Sequence, residues 1–245
     1  MKILKLALVA AAASVAMSGA AMAEELKLSY NIGVASDYIF RGISQTGTDP
    51  QVFGGVDATY GIGYAGVWAS NVDFGTPEPS AEVDLYAGIR PTQGDINFDF
   101  GVLYYSYIKD EAPETSPLVA SPGSFSYFEI KAAASKAFGP ATLGIAAYYS
   151  PEFPLKGGDA IYYELNGSTP IAHGLTLSGA IGRQEVKAEG YFSGVGNEYN
   201  ALNIGLSKPF GDHLTADLRY SNTDAHEFGK KLYGSALTVS LKAAF

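Results

Sequence analysis

From Leu26 onward, apolar and polar residues alternate with a period of two. Leu26, Leu28, Tyr30, Ile32 and Val34 fall on one side, opposite Lys27, Ser29, Asn31 and Gly33, and Asp37 continues the polar side. Side chains of an extended strand point alternately to its two faces, so this spacing predicts a strand and fits no helix. The format recurs along the chain. A second strand, Gln51 to Tyr60, sets Val52, Val56 and Ala58 against Phe53, Asp57 and Thr59. The third, Tyr64 to Phe74, is less regular, and we place Trp68 and Val72 on the apolar side with Asn71 and Asp73 opposite. The fourth opposes Val83, Leu85, Ala87 and Ile89 to Glu82, Asp84, Tyr86, Gly88 and Arg90, and the fifth opposes Ile96, Phe98, Phe100 and Val102 to Asn97, Asp99 and Gly101.

After a proline-containing connection, Lys109 to Ser124, the pattern resumes with Phe128, Ile130, Ala132 and Ala134 against Glu129, Lys131, Ala133 and Ser135. Strands at Ala141–Ser150, Ile161–Asn166, Leu175–Arg183, Tyr199–Ser207 and Leu214–Ser221 follow, and Leu237 to Phe245 is the last. That makes twelve. Ser135-Lys-Ala-Phe-Gly139 and Ser207-Lys-Pro-Phe-Gly211 are look-alike turns, each after an even-numbered strand. Connections after even strands are short and several of the others long, the asymmetry of transmembrane barrels. The predicted fold is all-β, an up-and-down antiparallel transmembrane barrel. The long connection reads as an exposed loop, with an inward-folded constriction as the alternative.

Alternation alone would serve a soluble barrel with its apolar face inside. The N-terminus separates the two. Lys2 and Lys5 precede an apolar run from Leu6 to Ala16, and Ala21-Met22-Ala23 before Glu24 fits a cleavage site. We therefore expect a signal peptide over 1–23 and the barrel over 24–245. No later stretch reaches the ~18 uninterrupted apolar residues of a spanning helix, whereas a barrel strand needs only ~9–11. Tyr60, Tyr64, Phe138, Tyr149, Phe210 and Tyr220 lie near strand boundaries, where an aromatic girdle would meet the membrane interface. Charged residues are sparse at 17% and aromatics make up 13%. The chain has no cysteine, so an exported form gains nothing from disulfides. Its formal charge of −9 becomes −11 once Lys2 and Lys5 leave, which argues against nucleic acid as a partner.

With lipid outside, the polar face lines a lumen. Its acids are Asp37, Asp57, Asp73, Glu82, Asp84, Asp99, Glu129, Glu164 and Asp217, and its bases Lys27, Arg41, Arg90, Lys131, Arg219 and Lys242. Many should pair across neighbouring strands and stiffen the wall. The acidic excess points to a passage preferring cations, since charged rings set selectivity in pores. Inward glycines, Gly33, Gly55, Gly88 and Gly101, make room for inward tyrosines such as Tyr86, Tyr105 and Tyr162, so we expect a narrow bore. Asp37 and Arg41 share one strand face but lie ~13 Å apart at ~3.3 Å per residue, so their partners must come from other strands.

Several blocks carry a resemblance. Ser36-Asp-Tyr-Ile-Phe-Arg-Gly-Ile-Ser-Gln45, Asp49-Pro50, Gly54-Gly-Val-Asp57, Ala65-Gly-Val-Trp-Ala-Ser-Asn-Val-Asp-Phe74 and Glu82-Val-Asp-Leu-Tyr-Ala-Gly88 resemble the TorF-type porin family of proteobacterial outer-membrane proteins. The likeness runs over about residues 26 to 105; the second half shares the strand format and the terminal Phe. It implies a barrel in the outer membrane of a Gram-negative bacterium, in contact with outer-membrane lipid. The ending on Phe245 resembles the insertion signal read by the barrel assembly machinery.

The expected activity is passive diffusion of small hydrophilic solutes or ions, without a cofactor. A plugged structural or binding barrel is the alternative. Asp224-Ala-His226 resembles the dyad of omptin proteases, and Glu82 with Asp84 could be cast as their acidic pair, but strand number and flanking sequence differ. Three scattered histidines without cysteine offer no transition-metal site. Asp110, Glu111 and Glu114 read as a solvated run.

Overall fold

The computed structural model describes residues 25–75, 79–110, 123–192, 196–227 and 229–245. The signal peptide expected over 1–23 and the middle of the 109–124 connection lie outside them. Twelve long strands are present: β1 (Lys27–Ala35), β2 (Gln51–Tyr60), β3 (Gly63–Asn71), β4 (Ala81–Ile89), β5 (Ile96–Tyr107) and β6 (Tyr127–Phe138) in the first half. The second half holds β7 (Ala141–Phe153), β8 (Gly158–Pro170), β9 (Thr176–Val186), β10 (Glu198–Phe210), β11 (Leu214–Thr223) and β12 (Ala236–Ala244). Each pairs antiparallel with its neighbours in sequence, and β1 pairs with β12 from Asn31↔Ala244 to Ala35↔Ser240. The sheet is thereby closed and has no free edge, the condition for spanning lipid with strands. At the seam, the Phe245 N–H donates to the Tyr30 carbonyl (2.9 Å) and the Tyr30 N–H to the Phe245 carbonyl (3.0 Å).

The two look-alike turns close for a local reason. Gly139 and Gly211 sit at φ 60° and 65°, the left-handed region that a residue with a side chain enters at a cost. Tight turns there fix the register of β6 on β7 and β10 on β11, and in strands the register decides which face every side chain takes.

The apolar side chains face outward. Leu237, Ile145 and Ile181 are 67%, 61% and 60% exposed, and Ile32, Val52, Leu85, Ile130, Leu165, Ile204 and Val239 are exposed with them. A soluble protein rarely shows apolar patches beyond a few hundred Å². The belt runs around the wall, so the soluble alternative, with apolar residues inside, does not hold. Tyr60, Phe138 and Phe210 stand exposed at the short-turn end and Tyr149 and Tyr220 toward the other.

Three expectations need correction. In β3 the phase is reversed: Trp68 pairs with Gly55 and Ser70 with Phe53, so Trp68, Ser70 and the buried Val72 face the interior while Val67 and Asn71 face out. The reason is a partner for Trp68 inside the bore, an apolar contact that a water-filled lumen would not supply. Asp73, beyond the end of β3, is exposed at the rim of the upper cavity, and its carboxylate accepts the Gly75 N–H at 2.7 Å. Tyr64 leaves the girdle, because its hydroxyl reaches the lumenal Asp99 at 2.7 Å. Asp37 and Arg41 do not share a strand face: both lie in Ser36–Pro50, between β1 and β2, a segment folded into the bore.

Candidate functional site

Ser36–Pro50 forms a small hairpin in which Ile39–Phe40 pairs with Ile43–Ser44, as a sheet separate from the barrel. Its tip, Arg41-Gly42, has φ 47° and 84°, and two positive φ values in a two-residue loop belong to the type I′ turn that suits hairpin twist. Glycine accepts this; arginine does so under strain, which persists only where surrounding contacts hold it. The base of the hairpin is braced locally. Asp37 accepts from Ser44 Oγ at 2.7 Å, and the Thr46 hydroxyl sits 2.8 Å from Asp37 and 2.6 Å from the Asp49 carbonyl. Asp37 therefore finds its partners in its own loop rather than on another strand.

Arg41 reaches the wall. Its Nη1 and Nη2 donate to the two oxygens of Glu129 on β6 at 2.7 and 2.8 Å, and Nη1 also donates to Gln184 Oε1 on β9 at 3.0 Å. The guanidinium lies 4.4 Å from the Tyr162 ring centroid, 4.8 Å from Phe40 and 5.0 Å from Tyr148, a cation–π cage. The Arg41 and Glu129 side chains are 6% and 1% exposed. Gln184 is itself fixed by donating to the Ile161 and Glu185 carbonyls at 3.2 Å. Beside this tip, the Tyr38 hydroxyl donates to Glu82 at 3.1 Å and its ring meets Trp68 edge-on at 5.4 Å. Asp84, next to Glu82 on the same face, is buried with Oδ1 unpartnered among the described residues.

Toward the short-turn end the lumenal charges form their own pairs. Lys131 and Arg90 donate to Asp99 at 2.8 and 3.2 Å, and the Arg90 guanidinium lies 3.9 Å from the Tyr64 ring centroid, with Arg90 largely exposed at the mouth. The Tyr86 hydroxyl donates to Asp57 at 2.6 Å. On the far wall Arg219 donates to Asp217 at 2.9 Å, to Asn203 at 2.7 Å and to Ser178 at 2.9 Å, while Glu164 accepts from Tyr162 and Asn166. Glycines create the room: a Cβ on Gly66 would lie 2.4 Å from Tyr86, and one on Gly205 would lie 2.7 Å from the Arg219 guanidinium carbon.

The hairpin divides the bore. Above it lies a cavity of about 430 Å³ lined by aromatics including Tyr107, Tyr127, Phe153 and Tyr199. Below lies one of about 490 Å³ lined by Phe53, Trp68, Tyr148, Glu164, Asp217 and Arg219. Phe40 and Arg41 line both. A third hollow, about 940 Å³, lies on the outer wall over Ala132, Ala134 and Ile145 and faces lipid.

Other sequence candidates resolve differently. Asp224 is engaged by Asn200, whose amide nitrogens on backbone and side chain donate to it at 2.7 and 2.6 Å. Asp110 accepts the backbone N–H groups of Phe125 and Ser126 at 2.6 and 3.0 Å and so clasps a loop base. No group of three metal-ligating side chains occurs among the described residues. Sequence reasoning missed Gln184, Tyr38 and Tyr148. Gly42 was the one local signal, since a two-residue type I′ loop favours glycine at its second position, whereas arginine at the first gives none.

A closed barrel of twelve strands, apolar outside and charged within, is the architecture of porins. The chain belongs to the Gcw_chp family, described as bacterial protein of unknown function, whose model matches residues 19–245. Among solved structures, the KdgM porin superposes with a TM-score of 0.58 at 7% identity, covering 89% of this chain and 98% of that one. The NanC porin gives 0.56 at 10% identity, covering 89% and 99%. At such identity the likeness is one of fold. No curated protein sequence matches the chain.

Proposed function

We propose that this chain is an outer-membrane diffusion channel for small hydrophilic solutes or ions, of the TorF type that its first-half blocks resemble. The observation that carries the reading is a lipid-facing apolar belt around a bore whose walls are charged and whose two cavities share Phe40 and Arg41. In this orientation the short turns are periplasmic and the long loops extracellular. Residues 1–23 serve export as a signal peptide, and the exposed Phe245 at the seam is what the barrel assembly machinery reads. The KdgM and NanC neighbours, porins by name, support the reading through their fold.

Arg41, Arg90, Lys131 and Arg219 pair with Glu129, Asp99 and Asp217, whereas Glu82 and Asp84 form no ion pair among the described residues, which favours a cation preference carried by these two. An omptin-like hydrolase is disfavoured, because Asp224 is held by Asn200 and Glu82 is sealed beneath Tyr38. The hairpin across the bore favours one second reading, a barrel closed at rest. Insertion of the refolded mature chain into a planar bilayer tests the proposal. Discrete, small conductance steps are the expected result; silent membranes containing a folded, heat-modifiable barrel would overturn it.

A further inference from the structure

The hairpin Ile39–Ser44 pairs only with itself and belongs to no barrel ladder, so displacing its tip breaks no strand-to-strand bond of the wall, while its base stays anchored where the Gln45 carbonyl accepts the Asp73 N–H at 2.8 Å. Its tip is held by side chains. Arg41 makes a bidentate pair with Glu129 at 2.7 and 2.8 Å and a third bond to Gln184 at 3.0 Å. Beside it Tyr38 donates to Glu82 at 3.1 Å. The same tip brings the Arg41 guanidinium to a wall that presents Glu82, Asp84 and Glu129, with Asp84 Oδ1 left unpartnered among the described residues, while the neighbouring Lys131 is engaged by Asp99 at 2.8 Å. A bidentate, buried arginine pair is geometrically specific, and removing either partner leaves the other charge stranded.

We propose that Arg41 is the selectivity-determining residue of this barrel: its pair with Glu129 pins the hairpin across the bore, and its charge cancels the surrounding carboxylates. Passage between the outer and inner cavities then requires the guanidinium to leave Glu129. Once it has left, the tier is acidic and admits small cations before anions. This inference rests on the channel reading above.

Single-channel recording under a potassium chloride gradient compares the full mature chain with Arg41→Ala, Glu129→Gln and the charge swap Arg41→Glu with Glu129→Arg. Arg41→Ala should raise conductance several-fold and move the reversal potential toward cation selectivity. Glu129→Gln should also raise conductance but shift the reversal potential toward anions, because Arg41 then stands uncompensated. The swap should return conductance toward the wild-type value. An Arg41→Ala channel with wild-type conductance and reversal potential would overturn the proposal while leaving the channel reading intact.

A second readout does not need conduction. Trp68 is the single tryptophan of the chain, lines the inner cavity and packs on Tyr38 of the hairpin. Acrylamide should quench its fluorescence more in Arg41→Ala than in the wild type, both shown by heat-modifiable gel mobility to be folded. If every channel is silent, the channel reading fails, and unchanged quenching would then overturn the pinning as well.

Discussion

Arg41 combines features that are each costly alone. Its φ of 47° is strained for a residue with a side chain, and its charge is almost wholly removed from water. Bidentate contact with Glu129 and the cage of Tyr162, Phe40 and Tyr148 offset both costs. The tyrosine beneath it depends in turn on a glycine. A Cβ at Gly182 would sit 2.2 Å from the Tyr162 hydroxyl and 2.4 Å from Cζ, and Tyr162 is buried, with little room to turn. We expect Gly182→Ala to destabilise the barrel by about 1–3 kcal/mol, the usual cost of overpacking, in equilibrium urea unfolding from lipid vesicles. Adding Tyr162→Phe, which deletes the nearest atom, should recover part of that loss; a neutral Gly182→Ala would show that the ring is free to move. The sequence marked Arg41 as polar and in need of distant partners, but could not name them: Glu129 lies 88 residues along the chain and Gln184 lies 143.

Strands were legible where one face meets lipid and the other water, because that contrast writes itself as alternation. In β4, Val83, Leu85 and Ile89 stand opposite Glu82, Asp84 and Gly88, and the structure sets the two groups on opposite faces. The contrast faded in β3 for a physical reason. Trp68 faces inward because Tyr38 and Phe53 cover it, at centroid distances of 5.4 and 6.1 Å, while small Ala65 and Ala69 face out. Periodicity has no way to express an apolar contact supplied by an inserted loop. The hairpin leaves no such mark, since its two-residue strands are too short to show a period. The lipid face gives a direct test at this scale. Ile181→Arg in β9, with its side chain outward, should cost about 2–4 kcal/mol if it lies near the bilayer midplane, as measured by unfolding from vesicles. Its inward neighbour Ala180→Ser should change little. Equal effects at both positions would mean the assigned faces are wrong.

Closure converts these local choices into a molecule. An even number of antiparallel strands brings β1 beside β12, removes both edges and turns one apolar face into a belt around the whole wall. What remains inside is polar, partly filled by tyrosines and divided by the hairpin into cavities of about 430 and 490 Å³. On the channel reading proposed above, cavities of this size are expected to pass small solutes and to exclude polymers. The most direct test is solute entry into proteoliposomes carrying the folded wild-type chain, followed by light scattering across uncharged sugars of increasing size. The account predicts slow swelling with the smallest solutes and none with oligosaccharides. No swelling with any solute, in vesicles whose barrels run as folded on gels, would contradict it.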